Sequence, residues 1–117
     1  MLILVINLDR EEKRLLHMRD EFSAHGLEFQ RVAAVDARNL SDEVIASRRK
    51  GAPNFYELGA GEVACFLSHR RCWEIAADSA ETHTLVCEDD LFLGKDAGSV
   101  LADRAWMPED DGIVKVE

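Results

Sequence analysis

Residues 2–7, LILVIN, are apolar without a break until Asn7. A half-buried strand alternates apolar and polar residues, so an unbroken run of this length reads as a strand buried on both faces, as in a parallel sheet. A helical stretch follows. Asp9 is a candidate N-cap with Glu12 as its capping-box partner, Leu15, Met18 and Phe22 repeat at helical spacing, and Gly26 is a C-terminal stop. Residues 27–35, LEFQRVAAV, read as a second strand. A strand, a helix and a strand within the first 35 residues predict right-handed βαβ winding and an α/β fold.

The rest of the chain continues this alternation less regularly. Ser41 is placed to cap a short helix over residues 42–49, and residues 50–54 (KGAPN) read as a loop. Gly59 and Gly61 precede a long helix expected from about Glu62 to Asp78, apolar around most of its circumference and therefore expected to be deeply packed. Thr84 to Cys87 reads as a strand, residues 94–98 as a loop, residues 99–105 as a short helix and Ile113 to Val116 as a last strand. A length of 117 residues, 47% of them hydrophobic, predicts one domain over residues 1–117 with a real core. Trp73, Trp106 and the five phenylalanines are read as core, and Cys65, Cys72 and Cys87 as buried, reduced thiols.

Chemistry concentrates where apolar runs stop. Leu85-Val86-Cys87 ends at three consecutive carboxylates, Glu88, Asp89 and Asp90. Unpaired charges are too costly to bury, so the strand must end there and present the acids at its C-terminal tip, where open α/β sheets bind ligands. Extended alternation would put Glu88 and Asp90 on one side and Asp89 on the other. A pair of carboxylates two residues apart suits a hard divalent cation, Mg²⁺ or Mn²⁺, although acid runs are more often simply solvated. Residues 51–117 carry 14 acids and 5 bases, which accounts for the whole net charge of −9. That argues against a nucleic-acid groove, but not against a phosphate ligand bridged by a metal. Asn7-Leu8-Asp9-Arg10, with Arg14 one turn on, occupies the loop after the first strand, a common nucleotide position; no glycine-rich phosphate loop is present.

The helix GEVACFLSHRRCWE puts Cys65, His69 and Cys72 on one face. Zinc sites usually want four ligands at knuckle spacings that are absent here, so buried cysteines are the better reading. Ser68 and His69 interrupt the apolar pattern and need partners, either structural ones or a ligand. Asp36-Ala37-Arg38 is ambiguous by itself. Leu2 to Ile6 is too short for a signal peptide's apolar region, and no segment is long enough to span a membrane.

Together these segments resemble glycosyltransferase family 25. Val5 to Arg10 with Arg14, Phe29 to Arg38 with its AVDAR element, Gly61 to His69, Leu85 to Asp90 and Asp111 to Glu117 look like the family's motifs, in order. Ala37 stands where the family usually has glycine, and Cys87 where it usually has leucine. The resemblance implies a Rossmann-like, GT-A-type nucleotide-sugar-binding sheet with flanking helices, truncated, since family members continue well past this length. It implies transfer of a hexose, galactose being the leading choice, from a UDP-sugar to a lipooligosaccharide or other glycan acceptor. Glu88 and Asp90 would hold Mn²⁺ or Mg²⁺, and Asn7, Leu8, Arg10, Arg14, Asp36, Ser68, His69 and Asp89 would surround the donor. The implied setting is the cytoplasm, with peripheral association at the inner membrane left open.

Two rivals stand beside this. One is a non-catalytic nucleotide-sugar-binding or interaction module. The other is a metal-dependent phosphoryl-transfer or hydrolytic enzyme, with Asp36 or Asp111 as further carboxylates. An unpaired strand at Ile113 to Val116 would also be an exposed edge through which copies could self-associate.

Overall fold

A computed structural model describes residues 1–49, 58–103, 105–107 and 112–115. Three parallel strands, β1 (Leu2–Asn7), β2 (Gln30–Ala33) and β3 (Thr84–Glu88), form a sheet in the order β2-β1-β3. The helices are α1 (Glu12–Ala24), α2 (Asp42–Arg49), α3 (Ala60–Ala77) and α4 (Ala97–Ala102), with a 3₁₀ turn at Ala37–Asn39. The architecture is therefore α/β, as expected, on a small all-parallel sheet.

The central position of β1 explains its unbroken apolar run. Its odd residues Ile3 and Val5 pack with Met18 and Phe22 of α1 and with Cys87 of β3. Its even residues Leu4 and Ile6 pack with Val32 of β2 and Cys72 of α3. Neither face of β1 meets water, so neither face tolerates polar residues before Asn7. Leu4, Val5, Met18 and Phe22 are fully buried, and each such side chain stabilises the fold by about 1.5–3 kcal/mol. Val5 pairs in register with Cys87, and Ile6 with Glu88, so the strands end almost level on one edge of the sheet.

Several local expectations change. Asp9 does not cap α1: the N-cap position is Glu11, without a side-chain hydrogen bond, and Asp9 instead accepts from Arg31 at 2.5 Å. The other end of α1 stops as expected. Gly26 adopts φ +65°, its N–H bonds to the Ser23 carbonyl, and the Leu27 N–H reaches back to Phe22, the paired bonds of a glycine-terminated helix. Only Gln30–Ala33 of the predicted second strand pairs; Leu27 and Phe29 leave the ladder and pack on the α1 side of the core. The short helix near residue 99 begins earlier, at Ala97.

Helix α3 begins at Ala60 and is not deeply packed. Val63, Ala64, Ser68 and Cys72 face the sheet, while Phe66 and Trp73 remain about half exposed and meet each other edge-on at 6.0 Å. A helix lying on a sheet buries one stripe, and the sheet here reaches no further round α3. Trp106 and Phe92 are likewise exposed, so these aromatics are not core; Phe22 is, Phe29 packs against it, and Phe55 lies outside the described residues. Residues 112–115 form no strand, and Ile113 is 93% exposed. The expected edge strand is therefore missing among the described residues, and self-association through it loses its basis. Val116, Asp111 and the predicted loop at residues 50–54 lie outside the described residues.

Candidate functional site

All three strands terminate at one cleft, of about 330 Å³. Its floor comes from the residues just beyond β1 and β2, its far wall from the first half of α3, and its rim from the end of β3. Chain direction alone does this: parallel strands deliver all their carboxyl ends to one edge, and the connections there are free of sheet hydrogen bonding.

Beneath the cleft lies a closed polar network. Asn7 is 2% exposed. Its amide nitrogen donates to Asp89 at 2.6 Å and to the Glu11 carbonyl at 3.1 Å, and its oxygen accepts from Arg31 Nε at 2.9 Å. Asp89 is 7% exposed and also accepts from Arg14 at 3.1 Å. That bond, with the charge behind it, raises the Arg14 guanidinium further above its ordinary range. No buried side-chain nitrogen or oxygen lacks a partner among the described residues. Asn7 and Asp89 thus join the ends of β1 and β3 to the start of α1, with Arg31 bringing in β2.

The acid cluster divides at the strand end. Glu88, the last residue of β3, turns toward α3, where His69 Nε2 lies 3.1 Å and Cys65 Sγ 3.5 Å from its Oε1. Asp89 turns the other way, into the network. Alternation stops there: residues 89–90 form a turn, and Asp90, exposed, sits 3.7 Å from Arg14 rather than continuing on the Glu88 side. His17 and Glu21 of α1 then hold the next segment through the Leu91 carbonyl and the Leu93 N–H.

Across the cleft, Asp36 is clamped between Arg10 and Arg38, and its carboxylate also accepts from the Arg38 N–H at 3.0 Å. The Arg38 hydrogen bonds, aided by the Arg10 charge, hold the Asp36 carboxyl down at about 2. A carboxyl depressed in the folded state stabilises the fold above its unfolded value of 3.8, and loses that contribution as pH falls through about 2. The clamp is therefore expected to stay closed at every pH above about 3. An NMR titration of the Asp36 carboxyl carbon should show no inflection near 3.8; an inflection there would mean the clamp is open in solution.

Of the residues singled out in the sequence, Leu8, Arg10 and Asp36 line the cleft from the strand loops, Arg14 from the first turn of α1, and Ser68, His69, Glu88 and Asp89 from the α3 and β3 side. Asn7 lies beneath them, and Asp90 is not part of the lining. The Ser68 hydroxyl donates to the Ala64 carbonyl at 2.8 Å and accepts from the Val35 N–H at 2.9 Å, which ties the segment after β2 to α3. The sequence does not announce Arg31 or the clamping role of Arg38; a charged residue inside the second strand is the available signal for the first. Cys65 is exposed, contrary to expectation, and burial and Glu88 push its thiol up. Cys72 and Cys87 are buried as expected, with burial raising Cys87 to about 11. Cys72 packs in the core, so the Cys65, His69, Cys72 set does not assemble.

Comparison with known proteins bears on this cleft. The sequence profile of "Glycosyltransferase family 25 (LPS biosynthesis protein)" matches residues 1–115. The "Lacto-N-neotetraose biosynthesis glycosyltransferase LgtB" of Neisseria meningitidis serogroup B is 34% identical over 105 residues, covering 90% of this chain and 38% of that protein. The "Lipooligosaccharide biosynthesis protein lic2B" of Haemophilus influenzae is 33% identical over 107 residues, 90% of this chain and 39% of that protein. A "Glycosyltransferase 25 family member" of Anopheles gambiae is 33% identical over 112 residues, 86% of this chain and 19% of the relative. The chain thus spans well under half the length of these relatives, each aligned with part of itself. No helix among the described residues is long and apolar enough to cross a membrane.

Proposed function

The chain belongs to glycosyltransferase family 25, and from that premise we propose that its cleft holds a nucleotide-sugar donor for transfer to a glycan. The observation that carries this reading is the convergence of three guanidinium groups, Arg10, Arg14 and Arg38, and one outward-facing carboxylate, Glu88, on the carboxyl edge of a parallel sheet. Such an edge suits a nucleoside diphosphate, with planar cations to meet phosphate oxygens or stack on a base.

In the transfer, the bond between the sugar's anomeric carbon and the diphosphate oxygen breaks. A new bond forms to an acceptor hydroxyl, which gives up its proton to a base. The arginines are the residues suited to the leaving diphosphate. Arg14 contacts Asp89 and Asp90 through Nη1, so its other donors can turn to a ligand. Clamped Asp36 keeps Arg10 and Arg38 in place before the donor arrives, a preorganisation that lowers the cost of binding. Asn7, Asp89 and Ser68 act beneath the donor by fixing the three strand ends. Glu88 is an exposed oxygen donor on the cleft and would be the ligand for a hard cation, Mn²⁺ or Mg²⁺, which would neutralise charge on the leaving diphosphate; Asp90, turned toward Arg14 and outside the lining, would join it only by turning back toward Glu88.

The donor in this reading is UDP-galactose, taken from the family resemblance alone, and the acceptor a lipooligosaccharide or related glycan, in keeping with the names of the bacterial relatives. The setting in this reading is the cytoplasm. Amide chemical-shift mapping with UDP and Mg²⁺ tests the placement. Shifts are expected at Leu8 to Arg10, Val35 to Arg38, Gly61 to His69 and Glu88 to Asp90. Shifts confined to the opposite groove, around Leu15, Ser23 and Glu28, would contradict it.

A further inference from the structure

On the α3 side of the cleft, one carboxylate oxygen receives two contacts. Cys65 Sγ and His69 Nε2 both approach Glu88 Oε1, at 3.5 and 3.1 Å, and one ligand atom from each of the three residues lies within 4.8 Å of the others. Around a four-coordinate zinc ion with bonds of about 2.0–2.3 Å, neighbouring nitrogen, oxygen and sulfur ligands lie about 3.3–3.6 Å apart. The two contacts to Glu88 are already close to that spacing, and the Cys65–His69 pair, within 4.8 Å, has to close by no more than about 1.5 Å for all three to share an ion. Cys65 and His69 are one turn apart on a regular helix, and Glu88 ends a strand, so the supports are rigid.

We infer that Cys65, His69 and Glu88 form a three-ligand site for a divalent transition-metal ion of borderline softness, Zn²⁺ fitting best, with its fourth position facing the cleft. A sulfur, a nitrogen and an oxygen favour Zn²⁺ or Co²⁺ over Mg²⁺, which demands oxygen. On binding, the Cys65 thiol becomes a thiolate and its proton passes to solvent; no oxidation is involved. Because Glu88 is common to both, an ion here withdraws it from a hard cation on the donor diphosphate. That consequence rests on the donor-site reading above; the ligand set itself does not.

The test uses the metal alone, without nucleotide. Co²⁺ added to the intact chain is expected to give a near-ultraviolet thiolate charge-transfer band and strong visible bands of a four-coordinate ion, displaced by Zn²⁺ and unaffected by excess Mg²⁺. Cys65→Ser, a change at an exposed position, should remove the charge-transfer band. His69→Ala should weaken Co²⁺ binding at least about tenfold, and Asp90→Asn should leave the spectrum unchanged. A wild-type Co²⁺ spectrum without the thiolate band overturns the inference. So does binding that survives Cys65→Ser but is lost in Asp90→Asn, which would put the ion on the carboxylate pair. Since UDP is absent, either failure leaves the donor-site reading to be judged separately.

Discussion

Replacing Asn7 with alanine should destabilise the fold by about 3 kcal/mol. One buried amide connects three separate segments. Without it, Asp89 keeps Arg14 alone, the Glu11 carbonyl loses its side-chain donor, and Arg31 Nε loses its acceptor. A lost hydrogen bond to a charged group costs about 1.5–3 kcal/mol, and the neutral bonds about 1 kcal/mol each, offset in part by water reaching the Arg31 side. Asn7→Asp should be at least as harmful, because it sets a second carboxylate against Asp89. Urea unfolding reads the effect as a lower midpoint at constant slope. A midpoint close to wild type for Asn7→Ala would mean the network does not join the strand ends.

Glu88→Gln should weaken UDP binding in the presence of Mn²⁺ at least about tenfold, or about 1.4 kcal/mol. The amide preserves size and can still hydrogen-bond His69, but it is a far poorer ligand for a hard cation. Without Mn²⁺ the sign should reverse or vanish, since the substitution removes a negative charge from beside the phosphates. This pair of signs separates a metal-bridging role from a merely structural one. Loss of UDP affinity by the same factor with and without Mn²⁺ would show that Glu88 shapes the cleft and holds no ion. Because Glu88 is exposed and lies outside both core clusters, its replacement should leave the unfolding midpoint nearly unchanged.

The fold was legible wherever burial on two faces leaves only one kind of residue. LILVIN admits no other reading than a central strand, and the stop at Glu88 follows from the cost of burying charge. The motif segments were legible as well, and the cleft brings most of their polar residues together. What sequence could not supply was direction. The turn at residues 89–90 sends Asp90 toward Arg14, and local alternation cannot report a turn that α1 stabilises from a distance, through His17 and Glu21. Helix α3 misled for a related reason: its composition is apolar almost all round, yet a three-stranded sheet covers only one stripe, leaving Phe66 and Trp73 exposed. Cys65 was grouped with Cys72 because they share a helix, whereas its partner Glu88 comes from a strand 23 residues away. Arg31 was overlooked because its targets, Asn7 and Asp9, lie on a neighbouring segment more than 20 residues earlier.

Calorimetric titration of UDP into the intact chain, once with Mn²⁺ and once with a chelator, tests the central claim most directly. Saturable binding near one UDP per chain is expected with Mn²⁺, weakened at least about tenfold when the metal is removed. Equal affinity in both titrations, or no binding of UDP at millimolar concentration, would contradict a metal-assisted nucleotide site at the carboxyl edge of this sheet.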